Sequence, residues 1–173
     1  MKKRYPVICC ITLTLVVLAH HLLLPGQCTA SLVKADKVVV IKGERSLLLL
    51  RNGEVLKTYK VALGVNPVGP KTRQGDKRTP EGTYHLDRRN ARSKFYRSMH
   101  ISYPNSEDTV KARARGILPG RDIMIHGLPK GYGYLGELHR MNDWTKGCIA
   151  VTNSEMDEIW TLVSDGTPIE IRP

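Results

Sequence analysis

The sequence predicts a mainly β domain, a β-sandwich or open barrel of about eight strands with two short helices. Three observations lead there. Short β-branched and aliphatic runs recur along the chain, each bounded by Gly, Pro, Asn or Asp. Asn52-Gly53, between two such runs, has the turn chemistry of a two-residue hairpin. Helical periodicity with an apolar face is confined to one stripe, Met156, Ile159, Trp160 and Val163.

Taken in order, Lys37 to Ile41 reads as the first strand and Lys42 to Arg45 as a turn. Ser46 to Arg51 and Glu54 to Leu63 are the arms of the Asn52-Gly53 hairpin. Gly64 to Thr79 is rich in Gly, Pro and charge and lacks periodicity, so it is a long loop, a type that tends to be functional in compact domains. Thr83 to Arg88, Met99 to Tyr103 and Asp122 to His126 are further strands. Ser106 opens a short polar helix with Glu107 and Asp108 in its first turn, closing near Gly116. Gly147 to Val151 is a strand, Asn153 or Ser154 caps the second helix, and Pro168 to Ile171 is the last strand. Trp160 is read as a core residue of that helix.

The first thirty residues read as an address. Lys2, Lys3 and Arg4 precede an apolar run from Val7 to Leu24, Pro25-Gly26 breaks it, and Cys28-Thr29-Ala30 offers small residues for cleavage. A secretory signal peptide over residues 1–30, cut after Ala30, is the expectation, with an uncleaved anchor as the alternative. Residues 31–173 then form a single domain of a length that supports one core. No second apolar stretch exists, which excludes a polytopic membrane protein, and no 20–50-residue repeat suggests a solenoid. The 41% hydrophobic and 25% charged fractions argue against wholesale disorder.

Without residues 1–30 the net charge falls from +11 to +8, and three of the four cysteines are lost. Cys148 then stands alone in an exported chain, hidden in a core, shared between two chains, or reactive. The segment from Lys71 to Arg121 carries 13 basic and 5 acidic residues, and therefore the whole excess. Such a patch favours polyanions or carboxylate-rich surfaces. Export and the lack of a recognition motif argue against nucleic acid and for a cell-wall polymer or an anionic membrane face. Membrane attachment is expected only through the N-terminal segment, if it stays on the chain.

Two segments carry the chemistry. Ile125-His126-Gly127 ends one strand, and Trp144-Thr145-Lys146-Gly147-Cys148 leads into another. A strand-end His and a strand-start Cys joined by a glycine-rich loop can face each other across one sheet edge. A free thiol has a pKa of about 8.5, so little of it is thiolate at neutral pH. An imidazole within hydrogen-bond reach either takes the proton or forms a thiolate–imidazolium pair. Gly147 lets a carbonyl approach the backbone, where amides can hold an oxyanion. His139, His126 and Cys148 lack the paired short spacing of a zinc site, so no metal and no cofactor are expected. His85, His100 and His139 are read as structural or solvent-facing, and Tyr132 and Tyr134 are left unassigned.

His126-Gly127, seventeen intervening residues, and Thr145-Lys146-Gly147-Cys148 resemble the signature of the L,D-transpeptidase catalytic domain, the YkuD-like family. Thr79-Pro80-Glu81-Gly82-Thr83-Tyr84 is similar to another of its segments, and Val151-Thr152-Asn153 to its close. The resemblance implies an envelope or periplasmic enzyme acting on peptidoglycan stem peptides through a cysteine thioester. The acyl group would pass from a stem tetrapeptide to an amine acceptor. A wall-attached lipoprotein is a further possible partner. The alternative is a peptidoglycan amidase or L,D-carboxypeptidase that uses the same pair with water as acceptor. By the same resemblance Cys148 is the nucleophile and His126 the base. Gly127 contributes through its backbone, and the Gly147 and Cys148 amides form the oxyanion pocket. Thr145 and Lys146 are assigned to substrate binding. Lys146 stands where the family usually has His, and Ala150 where a basic residue is usual.

Overall fold

The computed structural model describes residues 33–173, and the expected signal segment lies outside them. Eight strands form one sheet: β1 (Lys37–Ile41), β2 (Ser46–Arg51), β3 (Glu54–Lys60), β4 (Gly82–Asn90), β5 (Ser98–Ile101), β6 (Met124–His126), β7 (Ile149–Ala150) and β8 (Pro168–Arg172). Their spatial order is β3-β2-β1-β8-β4-β5-β6-β7. Asn52 and Gly53 both take positive φ, 53° and 85°, which is the backbone a two-residue hairpin requires and the reason this dipeptide occurs there. Parallel pairing of β1 with β8 puts the last strand in the middle of the sheet, so Val38, Val40, Ile169 and Ile171 are buried.

The sheet curls until its two outer members meet. The chain leaves β3 and continues as residues 61–65, where Ala62 and Ala150 exchange backbone hydrogen bonds of 3.0 and 2.8 Å. Thr145 N–H donates to the Leu63 carbonyl and Val65 N–H to the Thr145 carbonyl, each at 3.0 Å. Of the two expected architectures, the open barrel describes this single curled sheet. The expected third strand reached Leu63; its last residues belong to this closure rather than to the ladder with β2.

Two α-helices flank the sheet, α1 (Ser106–Ala114) and α2 (Asn153–Leu162). Each begins with a capping box, Asn105 with Asp108 and Thr152 with Glu155. The cap of α2 is thus Thr152 rather than Asn153 or Ser154, which frees the Asn153 side chain for another task described below. Met156 and Ile159 of α2 enter the core. Trp160 lies at the core margin, with the guanidinium groups of Arg89 and Arg97 over its ring at 5.0 and 5.4 Å. The spacer before the cysteine contains a 3-10 segment, Gly133–Met141, broken at Gly136, which no periodicity in the sequence announces.

The long loop is ordered around one carboxylate. Asp76 accepts the Lys71 ammonium at 2.7 Å and the backbone N–H groups of Thr72, Arg73 and Arg78 at 2.8 to 3.1 Å. Its other end is held by buried Lys42, which donates to the carbonyls of Gly69 and Thr79 and to Glu81.

Candidate active site

Strands β6 and β7 run parallel, with Ile125 opposite Ile149 and His126 opposite Ala150. Ile125 and Ile149 are wholly buried in the core, so alternation turns His126 and the residue before β7, Cys148, to the opposite face. Counted back by one residue, the same register sets Cys148 beside Met124, one diagonal step from His126. The expected meeting of a strand-end His with a strand-start Cys at one sheet edge is present in the backbone.

The imidazole is fixed and desolvated. His126 Nδ1 lies 2.7 Å from the Gly127 carbonyl, which can only accept, so Nδ1 carries the proton and Nε2 a lone pair. The ring is 3% exposed, covered by Phe95 at 4.6 Å and Trp144 at 5.8 Å between centroids. Burial pushes its pKa below the ordinary histidine value, against a smaller opposing pull from the Gly127 hydrogen bond. Gly127 itself has no room for a side chain: a Cβ there would meet Asn153 Oδ1 at 2.7 Å and Tyr96 Cβ at 3.0 Å. Asn153 Oδ1 also accepts the Leu128 N–H at 2.9 Å, so the residue freed from capping α2 holds the turn that orients the imidazole.

The cysteine turn is organised by Thr145. Its buried hydroxyl accepts the Gly147 N–H at 3.0 Å and donates to the Cys148 carbonyl at 2.7 Å. Gly147 has φ +126°, and a Cβ there would lie 2.6 Å from the Arg78 carbonyl, so both conformation and space require glycine. Two expectations change here. Thr145 faces inward and binds its own turn rather than a substrate. The Gly147 N–H is committed to that hydroxyl, which leaves the Lys146 and Cys148 N–H groups of this turn without an acceptor among the described residues.

Cys148 is partly buried and has no disulfide partner among the described residues. Its thiol donates to the Asp122 carbonyl at 3.7 Å. Burial raises its pKa above the ordinary thiol value, the Met124 amide pulls it down, the Asp122 charge adds to the rise, and the Lys71 charge opposes it. Among the described residues no hydrogen bond joins the thiol to the imidazole. The sulfur opens on a groove of about 770 Å³ whose charged lining is Lys71, Lys77, Arg121, Asp122 and Lys146. Lys146 lines the same groove as the thiol.

Behind Trp144 lies a smaller cavity of about 190 Å³, lined by Leu128, Tyr132, Leu135 and His139. Trp144 Nε1–H donates to His139 Nδ1 at 3.4 Å, so this histidine is structural, as expected. Tyr132 and Tyr134 stack on each other at 6.4 Å and are both exposed.

Sequence reasoning missed four contributors. Phe95 is the one phenylalanine of the chain, and its place on the imidazole had no local pattern to signal it. Trp144 adjoins the cysteine motif and was quoted with it, yet its edge contact with His126 depends on the fold. Asp122 acts through its carbonyl, a group every residue has. Asn153 was visible as a cap and as the end of the family-like Val151-Thr152-Asn153 segment, neither of which points to its bond with the turn after His126.

The sequence of the L,D-transpeptidase catalytic domain (YkuD) matches residues 35–171. Among curated proteins, YafK of Escherichia coli (strain K12), named provisionally as an L,D-transpeptidase, is 34% identical over 133 residues. That alignment covers 73% of this chain and 46% of YafK, so the chain spans about half the length of the curated relatives it matches. Among solved structures, the helical cell shape determining protein Pgp2 of Campylobacter jejuni is 25% identical, with a TM-score of 0.60 over 78% of this chain and 46% of that one. A cysteine-to-serine variant of the Enterococcus faecium L,D-transpeptidase is 16% identical, with a TM-score of 0.52 over 80% of this chain and 50% of that one, and shares the fold.

Proposed function

The chain belongs to the L,D-transpeptidase catalytic-domain family, and from that premise we propose that it is a peptidoglycan L,D-transpeptidase of the bacterial envelope. Cys148 is its nucleophile and His126 its base. The observation that carries the reading is the protonated Nδ1 of a buried, neutral imidazole on the strand next to a thiol that opens on a groove.

The resting pair is uncharged, because burial lowers the imidazole and raises the thiol. Catalysis therefore begins with rotation of the Cys148 side chain from the Asp122 carbonyl toward Nε2, a hydrogen bond that tightens only with substrate in place. The sulfur attacks the carbonyl between the L-centre of the stem's diamino acid and its terminal D-alanine as Nε2 takes the thiol proton. The Cys148 N–H holds the oxyanion. The imidazolium returns the proton to the leaving amine, D-alanine departs, and a thioester remains. An acceptor amine, on another stem or on a wall-attached lipoprotein, then gives its proton to Nε2 as it attacks the thioester carbonyl; the C–S bond breaks, and the imidazolium returns that proton to the departing sulfur, restoring the uncharged pair.

Water as acceptor is the second reading, which makes the enzyme an L,D-carboxypeptidase or amidase. It is favoured by the exposed side chains of Lys77, Arg121 and Lys146 around the thiol, which leave solvent a route to the thioester. Pgp2 is described as determining helical cell shape, and a part in cell shape is proposed for this chain on that likeness.

The test is the intact mass of the protein after exposure to a disaccharide-tetrapeptide donor or a carbapenem, with Cys148→Ala as control. A thioester adduct on the parent alone supports the reading. Crosslinked dimers among the products mark a transpeptidase, and shortened peptides alone mark a hydrolase. An unmodified protein with no product overturns both.

A further inference from the structure

The groove beside Cys148 carries more cations than its own structure uses. Lys71 is spent on Asp76 inside the loop. Arg121 leans toward the exposed Asp122 at 3.5 Å. Lys77 and Lys146 have no carboxylate partner among the described residues, and both are exposed. Among the described residues nothing consumes these two charges.

Their backbones are locked together. A Cβ on Gly64 would fall 2.2 Å from the Lys77 carbonyl and 3.0 Å from Gly147 Cα, and one on Gly147 would fall 2.6 Å from the Arg78 carbonyl. Residues 77 and 78 thus pack on the cysteine turn itself, and the two lysines stand on touching segments at the mouth of one groove. Lys77 also has φ +58°, a conformation glycine or asparagine adopts with less strain. The backbone holds it there through Asn66 N–H, which donates to the Lys77 carbonyl at 3.2 Å, and Asn66 Nδ2, which donates to the Asp76 carbonyl at 2.9 Å. A long cationic side chain kept at a strained position at the mouth of the groove that holds the thiol points to a use for its charge.

We propose that Lys77 and Lys146 form a carboxylate clamp that makes the enzyme select acyl donors with a free carboxylate close to the scissile bond over the same donors with that group amidated. Arg121 adds to the field but shares its charge with Asp122. The inference rests on the reading of Cys148 as the nucleophile for an acyl donor. The clamp's first physical consequence, attraction of small anions to the thiol, holds whatever the enzyme's reaction.

Two measurements separate the clamp from the function. In the first, Cys148 is alkylated with iodoacetate and with iodoacetamide, and the ratio of the two rates is compared with that of a free cysteine derivative. The ratio cancels any change in thiolate fraction. At low salt it should exceed the free-thiol ratio about threefold or more, and fall toward it at about 1 M salt, where screening acts over ~3 Å. It should also fall in the Lys77→Gln/Lys146→Gln variant. In the second, stem tetrapeptide donors differing only as carboxylate or carboxamide are compared by the rate of thioester formation. The parent should prefer the carboxylate by about tenfold, an ordinary gain for an exposed charge pair acting with a second cation. The double variant should lose that preference while keeping its melting temperature. Lys77→Gly, which also relieves the left-handed backbone, should lose selectivity while gaining stability.

An alkylation ratio equal to that of the free thiol, or unchanged by the double variant, overturns the clamp. So does equal acylation by the two donors. If neither donor acylates Cys148 the proposed reaction fails, and the alkylation ratio decides the clamp by itself.

Discussion

His126 donates its Nδ1 proton to the carbonyl of the very next residue, Gly127, at 2.7 Å. A carboxylate in that place would stabilise an imidazolium strongly; a neutral carbonyl does so weakly. Together with burial this keeps the imidazole uncharged at neutral pH, so that in the proposed reaction the proton transfer is part of the attack rather than a resting property.

The pH behaviour of the thiol follows. In the resting protein, alkylation of Cys148 by iodoacetamide should rise with a midpoint above the ordinary thiol value, since burial raises it. Acylation by a peptide donor should instead rise with a midpoint below the ordinary histidine value, because protonation of His126 is pushed lower. A resting thiolate–imidazolium pair would show alkylation already at its plateau near pH 6, and that result would refute the neutral pair. His126→Ala should slow acylation by about 10²–10⁴ while leaving the alkylation midpoint high.

Thr145→Val removes one hydroxyl and two hydrogen bonds within the turn. It leaves the buried Gly147 N–H and Cys148 carbonyl unpaired, at a cost of about 1–3 kcal/mol in stability. Because the residue does not face the groove, kcat should fall with KM nearly constant. Urea unfolding and steady-state kinetics on one preparation check both, and a rise confined to KM would restore Thr145 to the substrate side.

Two glycines separate space from conformation. Gly64→Ala must push its Cβ into the Lys77 carbonyl and the Gly147 backbone, and should cost about 1–3 kcal/mol with a loss of activity. Gly53→Ala meets nothing within 4 Å and bears only the strain of its φ of +85°. Its cost should be about 1 kcal/mol, with activity unchanged. Equal effects at the two positions would show that the cysteine turn tolerates displacement.

Acid should weaken the fold through His139. Burial, then the neighbouring Arg140 charge, lowers its pKa to about 4, with Glu155 opposing. The unfolded chain takes up its proton near 6.5, so stability is full above that pH, is lost as pH falls from 6.5 toward 4, and levels below. His139→Phe should narrow the gap in urea midpoint between pH 7 and pH 4.5. An unchanged gap would remove this histidine from the acid response.

The parts of the molecule legible in the sequence are those written in local pattern. Each of the eight strands was visible as a short segment bounded by turn residues, and the Asn52-Gly53 hairpin could be read from two residues because few others tolerate two successive positive φ values. The His126 and Cys148 positions were legible because their chemistry and spacing are distinctive. The inward role of Thr145 was not, since a hydroxyl beside a glycine looks the same whether it serves a substrate or its own turn. Phe95 lies three decades of sequence from the residue it covers, and only the β5–β6 pairing brings it there. The 3-10 segment was missed because its side chains follow no buried stripe; Leu138 and Met141 stay exposed.

The meeting of residues 61–65 with residues 145–150 has a bearing on when the thiol becomes special. Leu63 N–H donates to the Asp143 carboxylate at 2.8 Å across 80 positions of sequence. Contacts of such separation form late, because chain entropy is lost before they return anything. Until those distant stretches join, Cys148 lacks both the turn that holds it and the groove it opens on in the folded chain.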